Sequence, residues 1–288
     1  MAKDNKTKPE IKEAKEVKET KEAEIEVVEP ADVDVVESVE VIELKKGEEE
    51  AVEINKTPFD LDSWKPKTEI GRKVKNGEIR KIDEILDNGL KIMESEITDA
   101  LVPNLEHELL LAGQSKGKFG GGKRRAFAQT QKKTREGNKI HFSTFTIVGN
   151  SDGYIGIGYG KAKETVPARE KSLKSAKLNI IKIRRGCGSW KCSCREAHSI
   201  PFQVEGKSGS VKIILIPAPK GTGLCVQSEC RKILKMAGIN DVWSKILGKT
   251  ATRSNIISAC FEALKNLTRM KTKEKDKETL GIREGNAR

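Results

Sequence analysis

The chain has 288 residues, with 55 Lys+Arg against 43 Asp+Glu and a formal net charge of +12. Charged residues make up 34%, above the roughly 25% of an average soluble domain. Counting Gly and omitting Tyr, the apolar share is about 44%, close to the usual ~45–50%, so the charge is added to a normal core. Length suggests about two domains, and no run of ~18 apolar residues is present to span a bilayer. No apolar stretch follows Met1-Ala2-Lys3-Asp4 to act as a secretory signal. Six Cys without such a signal point to a reducing compartment, where clustered thiols bind metal more often than they crosslink.

The charge is divided along the chain. Residues 1–56 hold 10 Lys+Arg and 18 Asp+Glu, a net of −8, which leaves +20 on the rest. This first segment lacks aromatic residues and a sustained helical period, so it is expected to be a disordered acidic tail. The preferred reading is a solvated tail with no specific role; the alternative is one that competes with nucleic acid for the basic body or binds a partner. Residues 57–112 read as an N-terminal extension with short helices, at Ile79–Leu86 and at Ile92–Leu101, the second stopped by Pro103. Residues 113–139 carry nine cations against Glu136 alone, with six Gly between them. That stretch cannot bury itself and is expected to be a flexible basic loop.

Residues 113–183 form the first expected domain. Lys139 to Val148 has strand composition, and Asn150-Ser151-Asp152-Gly153 is a hairpin turn. The returning strand alternates, with Ile155, Ile157 and Tyr159 on one face and Tyr154, Gly156, Gly158 and Gly160 on the other. A glycine stripe implies close approach of another backbone or of a ligand; close packing is the preferred reading. A helix is expected from Val166 to Ile181, burying Leu173, Ala176 and Ile180.

A Cys/His linker, 184–200, leads to a second α+β domain, 201–270. Strands are expected at Phe202–Gly206 and Ser210–Ile216, then the loop from Pro217 to Gly223. A helix follows with Val226, Cys230, Ile233, Leu234 and Ala237 inward, closed by Gly238. A short strand near Asn240–Trp243 precedes a last helix, Thr252 to Leu267, which buries Ile256, Cys260, Ala263, Leu264 and Leu267. Residues 271–288 are polar and expected to be a flexible tail.

Nucleotide-binding motifs fail. A P-loop needs Gly-x4-Gly-Lys-[Ser/Thr]; the position of the first Gly is Ile155 before Gly160-Lys161 and Trp243 before Gly248-Lys249-Thr250. The Pro217–Leu224 loop lies between a strand and a helix, where free amides suit a phosphate, although a turn with no anion is the simpler reading. His107, His141 and His198 are isolated from one another, and no catalytic constellation is visible. The linker is more specific. Cys187, Cys192, Cys194 and His198 match the ligand count of a tetrahedral Cys3His site for a structural Zn²⁺. The alternative is unligated thiols in a folded linker.

The basic loop is the main functional signal. Lys and Arg neutralise phosphates and release counterions, and Phe119 and Phe127 are interleaved. A charge run is commonly a solvated face; the spaced glycines and the basic helix that follows favour nucleic acid.

Val148 to Lys163, Val-Gly-Asn-Ser-Asp-Gly-Tyr-Ile-Gly-Ile-Gly-Tyr-Gly-Lys-Ala-Lys, resembles the universal small-subunit ribosomal protein number five. The resemblance continues through Ala176–Ile181, Arg184-Arg185-Gly186, Ser210 to Leu224 and Ala237–Trp243, and covers roughly 64–268. Trp64-x-Pro-x-Thr and the Cys/His linker look like the archaeal branch. The resemblance implies an α+β chain: a double-stranded-RNA-binding-like domain, then the family's own second α+β domain, related to some sugar-kinase-type enzymes. It also implies a structural, non-enzymatic protein of the cytoplasmic ribosome. Its implied partners are small-subunit rRNA, neighbouring ribosomal proteins (number four especially) and mRNA where it enters, with no membrane. Decoding accuracy is the implied role.

The family's rRNA-contacting hairpin corresponds to Gln131–Lys139. The residues expected to contact RNA are Lys132, Lys133, Arg135, Lys139, Lys161, Lys163, Arg184 and Arg185, with Lys123, Arg124 and Arg125 from the segment where the chain departs from its relatives. Glu136 weakens the hairpin's charge. Two other function classes stay open at this point. One is a free-standing regulator that binds structured RNA; the other is a nucleotide-dependent enzyme, which the failed phosphate motifs disfavour.

Overall fold

The computed structural model describes residues 63–102, 104–115, 117 and 124–285; the acidic stretch 1–56, Lys116, Lys118, Phe119 and Lys123 lie outside them. Three short helices come first: α1 (Glu69–Lys75), α2 (Ile82–Asp87) and α3 (Ser95–Leu101). Next are β1 (Glu106–Leu110), β2 (Ala128–Thr134), β3 (Gly137–Gly149), β4 (Tyr154–Ala162), α4 (Thr165–Leu178), β5 (Ile180–Lys182) and β6 (Arg184–Arg185). The second half has β7 (Val204–Ser208), β8 (Val211–Pro217), β9 (Leu224–Cys225), α5 (Ser228–Met236), β10 (Val242–Leu247) and α6 (Arg253–Arg269). Helix α7 (Glu274–Thr279) and strand β11 (Arg283–Glu284) end the described chain. Among the described residues no helix is long and apolar enough to cross a membrane.

The first sheet grows from the Asn150 turn. Asn150 Oδ1 accepts from the amides of Asp152 (2.9 Å) and Tyr154 (3.2 Å), and Gly153 takes a positive φ of 102°. The hairpin then pairs β3 with β4 from Gly149↔Ile155 to Phe142↔Ala162. Strand β5 adds beyond β4, while β2 and then β1 share the other edge of β3. The extension 57–112 therefore supplies a strand, β1, as well as short helices.

The glycine stripe of β4 is filled by backbone. A Cβ at Gly156, Gly158 or Gly160 would overlap the carbonyl oxygen of Ala176, Ser172 or Ala168 in α4. The helix answers with small residues: Ala168, Ser172 and Ala176 are its buried positions. The expected stripe of Leu173, Ala176 and Ile180 is thus corrected. Leu173 is half-buried, and Ile180 has left the helix to begin β5. Larger side chains cannot enter where two backbones come this close. A buried hydroxyl pair, Thr146 with Ser172 at 2.5 Å, joins β3 to the same helix face.

The opposite face of the sheet is apolar. Leu110, Ile147, Ile155 and Ile157 belong to one buried cluster with Val211, Ile213 and Leu215 of β8, Ile233 and Leu234 of α5, and Ile256 to Leu267 of α6. The second sheet runs β7-β8-β10-β9, with β9 parallel to β10. Of the expected inward residues, Cys230, Ile233, Leu234 and Ala237 at α5 and Ile256, Cys260, Ala263, Leu264 and Leu267 of α6 are buried, while Val226 lies before α5 and is half-buried. Each fully buried Ile contributes about 1.5–3 kcal/mol relative to exposure, so this shared core holds the two sheets together.

A second cluster docks α1–α3 at the end of the first sheet. Trp64, Val74, Ile82, Ile85 and Ile97 surround Tyr154 and Ile180. Lys177 pairs with Asp99 at 2.6 Å, Lys182 with Asp83 at 3.1 Å, and the Tyr154 hydroxyl donates to Asp83 at 2.8 Å. The polar segment after residue 270 departs from the expected loose tail. Residues 274–284 form α7 and β11, and β11 pairs with β6.

Gly158→Ala is expected to cost at least about 1–3 kcal/mol, because α4 must shift away from β4. Lys171→Ala, on the exposed side of α4, should change stability by less than about 0.5 kcal/mol. Urea unfolding midpoints with unchanged slopes are the measurement; equal midpoints for the two variants would refute the close-approach account.

Candidate nucleic-acid interface and metal centre

Strand β3 outruns β4. Among the described residues its first five, 137–141, have only β2 beside them, so β2 and β3 leave the sheet as a two-stranded arm. The arm is exposed along Gln131–Lys133 and Arg135–Ile140. Register assigns its faces. Lys132 stands opposite Lys139 and Thr130 opposite His141; these lie on the Phe145–Tyr159 side of the sheet, with Lys161 beside Ser143. Lys133 lies on the other side with Asn138. Arg135 occupies the tip, and Lys163 is exposed just before α4.

Like charges directly opposite on neighbouring strands repel. Glu136 offsets part of this by pairing with Lys139 at 2.7 Å, in an exposed ion pair. The acid that weakens the loop's charge in the sequence is therefore the local counterion of its cross-strand lysines. Arg124 and Arg125 lie at the root of the 113–127 segment. Gly113 donates to the Arg125 carbonyl at 2.8 Å, and Arg124 bridges Ser115. The Arg125 side chain is exposed. Phe127 is half-buried, with the Arg169 guanidinium 5.9 Å from its ring centre.

Arg184 and Arg185 are used inside the protein. Arg184 pairs with Glu284 at 2.7 Å and donates to the Met270 carbonyl. Arg185 is half-buried and donates to the carbonyls of Ser151 and Gly285 at 3.4 Å, and burial lowers its pKa. Sequence spacing brings these two cations to the linker; the structure commits them to the seam with the C-terminal segment.

The linker folds back on itself. Gly186 and Ser199 form a two-way bridge at its ends. Gly188 is pressed against the Pro201 carbonyl, and Cys192 closes a turn onto the Ser189 carbonyl at 3.1 Å. This brings the Sγ atoms of Cys187, Cys192 and Cys194 and a ring nitrogen of His198 within 4.8 Å of one another. Cys187 and His198 are buried, while Cys192 and Cys194 are half-buried. Zn–S of about 2.3 Å and Zn–N of about 2.0–2.1 Å put tetrahedral ligand atoms roughly 3.5–3.8 Å apart. Cys192 Sγ lies 3.9 Å from His198 Nε2, so that pair is already near this spacing.

His198 is held from behind. Its Nδ1 donates to Asp241 Oδ2 at 2.8 Å, leaving Nε2 directed at the thiols. Asp241 Oδ1 accepts from the Gly223 amide at 2.8 Å, and Ser199 donates to the Asp241 carbonyl at 2.5 Å. Such an outer carboxylate fixes the tautomer and orientation of a ligating imidazole. Asp241 lies 43 residues from His198, so no local spacing could have revealed it. A Cys192–His198–Asp241 line also suits nucleophilic catalysis; here two further thiols converge on the same imidazole, which is the arrangement of a metal donor set.

The cysteines differ electrostatically. Amides of Lys220 and Cys194 donate to Cys192 and lower its pKa to about 6, whereas burial and the neighbouring Cys194 thiol raise that of Cys187 to about 11. The Pro217–Leu224 loop is thereby explained. Its Lys220 and Gly223 amides serve Cys192 and Asp241.

Residues 126–184 match the family described as Ribosomal protein S5, N-terminal domain, and residues 206–278 match Ribosomal protein S5, C-terminal domain. Proteins named small ribosomal subunit protein uS5 are similar over most of their length. That of Nanoarchaeum equitans is 50% identical over 212 residues, 74% of this chain and 91% of the relative. That of Methanosphaera stadtmanae is 46% identical over 224 residues, covering 78% and 92%, and that of Methanocaldococcus jannaschii 47% over 227, covering 79% and 98%. The chain belongs to the uS5 family. Its fold is accordingly the α+β pair of S5 domains: β2 to β5 fall in the N-terminal match, and β8 to α6 in the C-terminal one. The Cys/His centre of this uS5 chain falls between the two matched segments.

In metal-free protein, Cys192 is expected to react with iodoacetamide ahead of Cys187 at pH 7. Its rate should rise through pH about 6, and that of Cys187 only towards pH about 11. Peptide mass mapping after timed alkylation reads both rates, and equal rates would contradict the asymmetry.

Proposed function

We propose that the chain is a structural constituent of the small ribosomal subunit that binds rRNA through the β2–β3 arm. Membership of the uS5 family carries this reading, and the exposed cations of the arm supply its chemistry. A-form RNA has a deep, narrow major groove that side chains cannot read, so recognition is by phosphates, 2′-hydroxyls and shape. The contacting groups are Lys132, Lys133, Arg135 and Lys139 on the arm, Lys161 and Lys163 where β4 leads into α4, and Lys123, Arg124 and Arg125 before β2. Neighbouring ribosomal proteins, number four among them, and mRNA where it enters the subunit are the further partners, and decoding accuracy is the role. Family membership supports these points.

Replacing Lys132, Lys133, Arg135 and Lys139 together by Ala is expected to weaken rRNA binding. The slope of log affinity against log salt should fall by up to roughly one unit per lost phosphate contact. Filter binding across a salt series measures this, and an unchanged slope would refute the assignment to the arm.

For the Cys/His centre, the proposal is one structural Zn²⁺ held by Cys187, Cys192, Cys194 and His198. Four protein donors close a tetrahedral ion, so its role is to pin the linker and not to activate water. The spacing of the donors and the Asp241 carboxylate behind His198 support this reading. Purified protein is expected to hold one zinc per chain, and Asp241→Asn to bind it roughly 10–100-fold more weakly. Absence of zinc by elemental analysis, even after refolding with zinc supplied, would overturn the proposal.

A further inference from the structure

Trp190 has no role in the arm or in the donor set, yet it is 88% exposed, more than any other large hydrophobic side chain among the described residues. Its loop is anchored on every side. Cys187 donates to the Leu280 carbonyl at 2.8 Å and Gly188 to the Ile200 carbonyl at 3.2 Å. The preceding Ser189 is buried, and Cys192 turns back onto Ser189. The indole is thus turned outward by a loop whose neighbouring residues are fixed inward. Within the linker it is the one exposed large apolar side chain.

A cation lies against it: the Lys191 ammonium is 5.1 Å from the centre of the indole ring, and Arg195, further along the same linker, is exposed. Glu196, the acid of the segment, is already paired with Lys220 at 2.6 Å. A protein partner that buried Trp190 as an apolar anchor would also bury Lys191 and would have to bring its own carboxylate to it, since Glu196 is taken. A polyanion with flat aromatic faces meets both needs at once. Every nucleobase has a π-face, and its phosphates match the flanking ammonium and guanidinium groups.

We propose that Trp190 is a stacking platform for an unpaired base of the bound rRNA, with Lys191 and Arg195 on the adjoining phosphates. This rests on the rRNA reading above and adds a second point of contact, placed on the linker and different in kind from the arm. The arm reads phosphates and so governs salt dependence; a stacked base is nearly insensitive to salt.

The test uses the full chain and transcribed small-subunit rRNA as the probe, in filter binding over a salt series. Trp190→Ala is expected to weaken binding roughly 5- to 150-fold, the range of one lost base stack. The salt slope should be unchanged, and Trp190→Phe should restore most of the affinity. Because the indole is exposed, both variants should keep the wild-type circular dichroism. In the wild-type chain, rRNA should also shield Trp190 from acrylamide quenching. Wild-type affinity in Trp190→Ala would overturn the proposal while leaving the arm's assignment intact. The same holds if naked rRNA is bound normally and only incorporation into subunits suffers, since that outcome identifies a protein contact. Failure of the wild-type chain to bind rRNA at all would overturn the rRNA-binding role proposed above and this proposal together.

Discussion

From Tyr154 to Gly158 strand β4 has no free face, and most of the architecture depends on that. On one side its glycines bring the backbone of α4 into contact. On the other, Ile155 and Ile157 enter the core shared with β8, α5 and α6. Both covers are specified at the same residues by simple alternation, so a one-residue slip would place isoleucines against the α4 backbone and glycines in the core. The hairpin register is therefore fixed. Strand β3, paired to β4 in that register, carries its surplus residues outward, and the direction of the arm follows from the core, because no contact at the arm itself defines it.

The junction between the sheets is polar where the core is apolar. Glu229 of α5 is buried and accepts from the Leu111 amide at 2.8 Å, just beyond β1. The Met236 carbonyl at the end of α5 accepts from Ser151 in the β3–β4 turn at 3.0 Å. The linker then crosses the junction and is closed from both ends. The His198 carbonyl accepts from the Asn240 and Asp241 amides, at 2.9 and 3.2 Å, while β11 pairs with β6. Buried polar groups that are each satisfied by a partner on another element resist local opening, because separating any pair leaves both members unsolvated. The Cys/His centre sits at the meeting point of these ties.

What could be read in the sequence was what has a short period. The alternation of β4, the turn at Asn150–Gly153 and the 3-then-4 spacing in α5 and α6 are local patterns, and each corresponds to an observed element. The buried face of α4 was not legible. Ala168, Ser172 and Ala176 are buried for their small size, and a reading based on apolarity selects Leu173 instead. Strand β1 was missed because Glu106-His107-Glu108 looks like surface, and its pairing is decided by β3, some forty residues on. The four donors of the linker were visible because they are contiguous. Asp241 was not, because its connection to His198 exists only after β10 has been placed. The polar composition of residues 271–285 concealed a segment whose order comes from pairing with β6 and from the carbonyls it offers to the linker.

The same distinction explains the distribution of charge. Cations whose partners lie within the fold are spent there: Lys177 on Asp99, Lys182 on Asp83 and Arg184 on Glu284. Those on the arm have Glu136 alone among them. Lys132 and Lys139 face each other across a two-stranded ribbon with, among the described residues, no third strand and no apolar face to hold it. An isolated ribbon is marginal in water, and opposed like charges lower its stability further. Bound phosphates would reverse the sign of that term, turning the repulsion between the strands into shared attraction to one ligand. The arm is then least stable alone and most stable on RNA, so its ordering is linked to binding by the charges that make binding favourable.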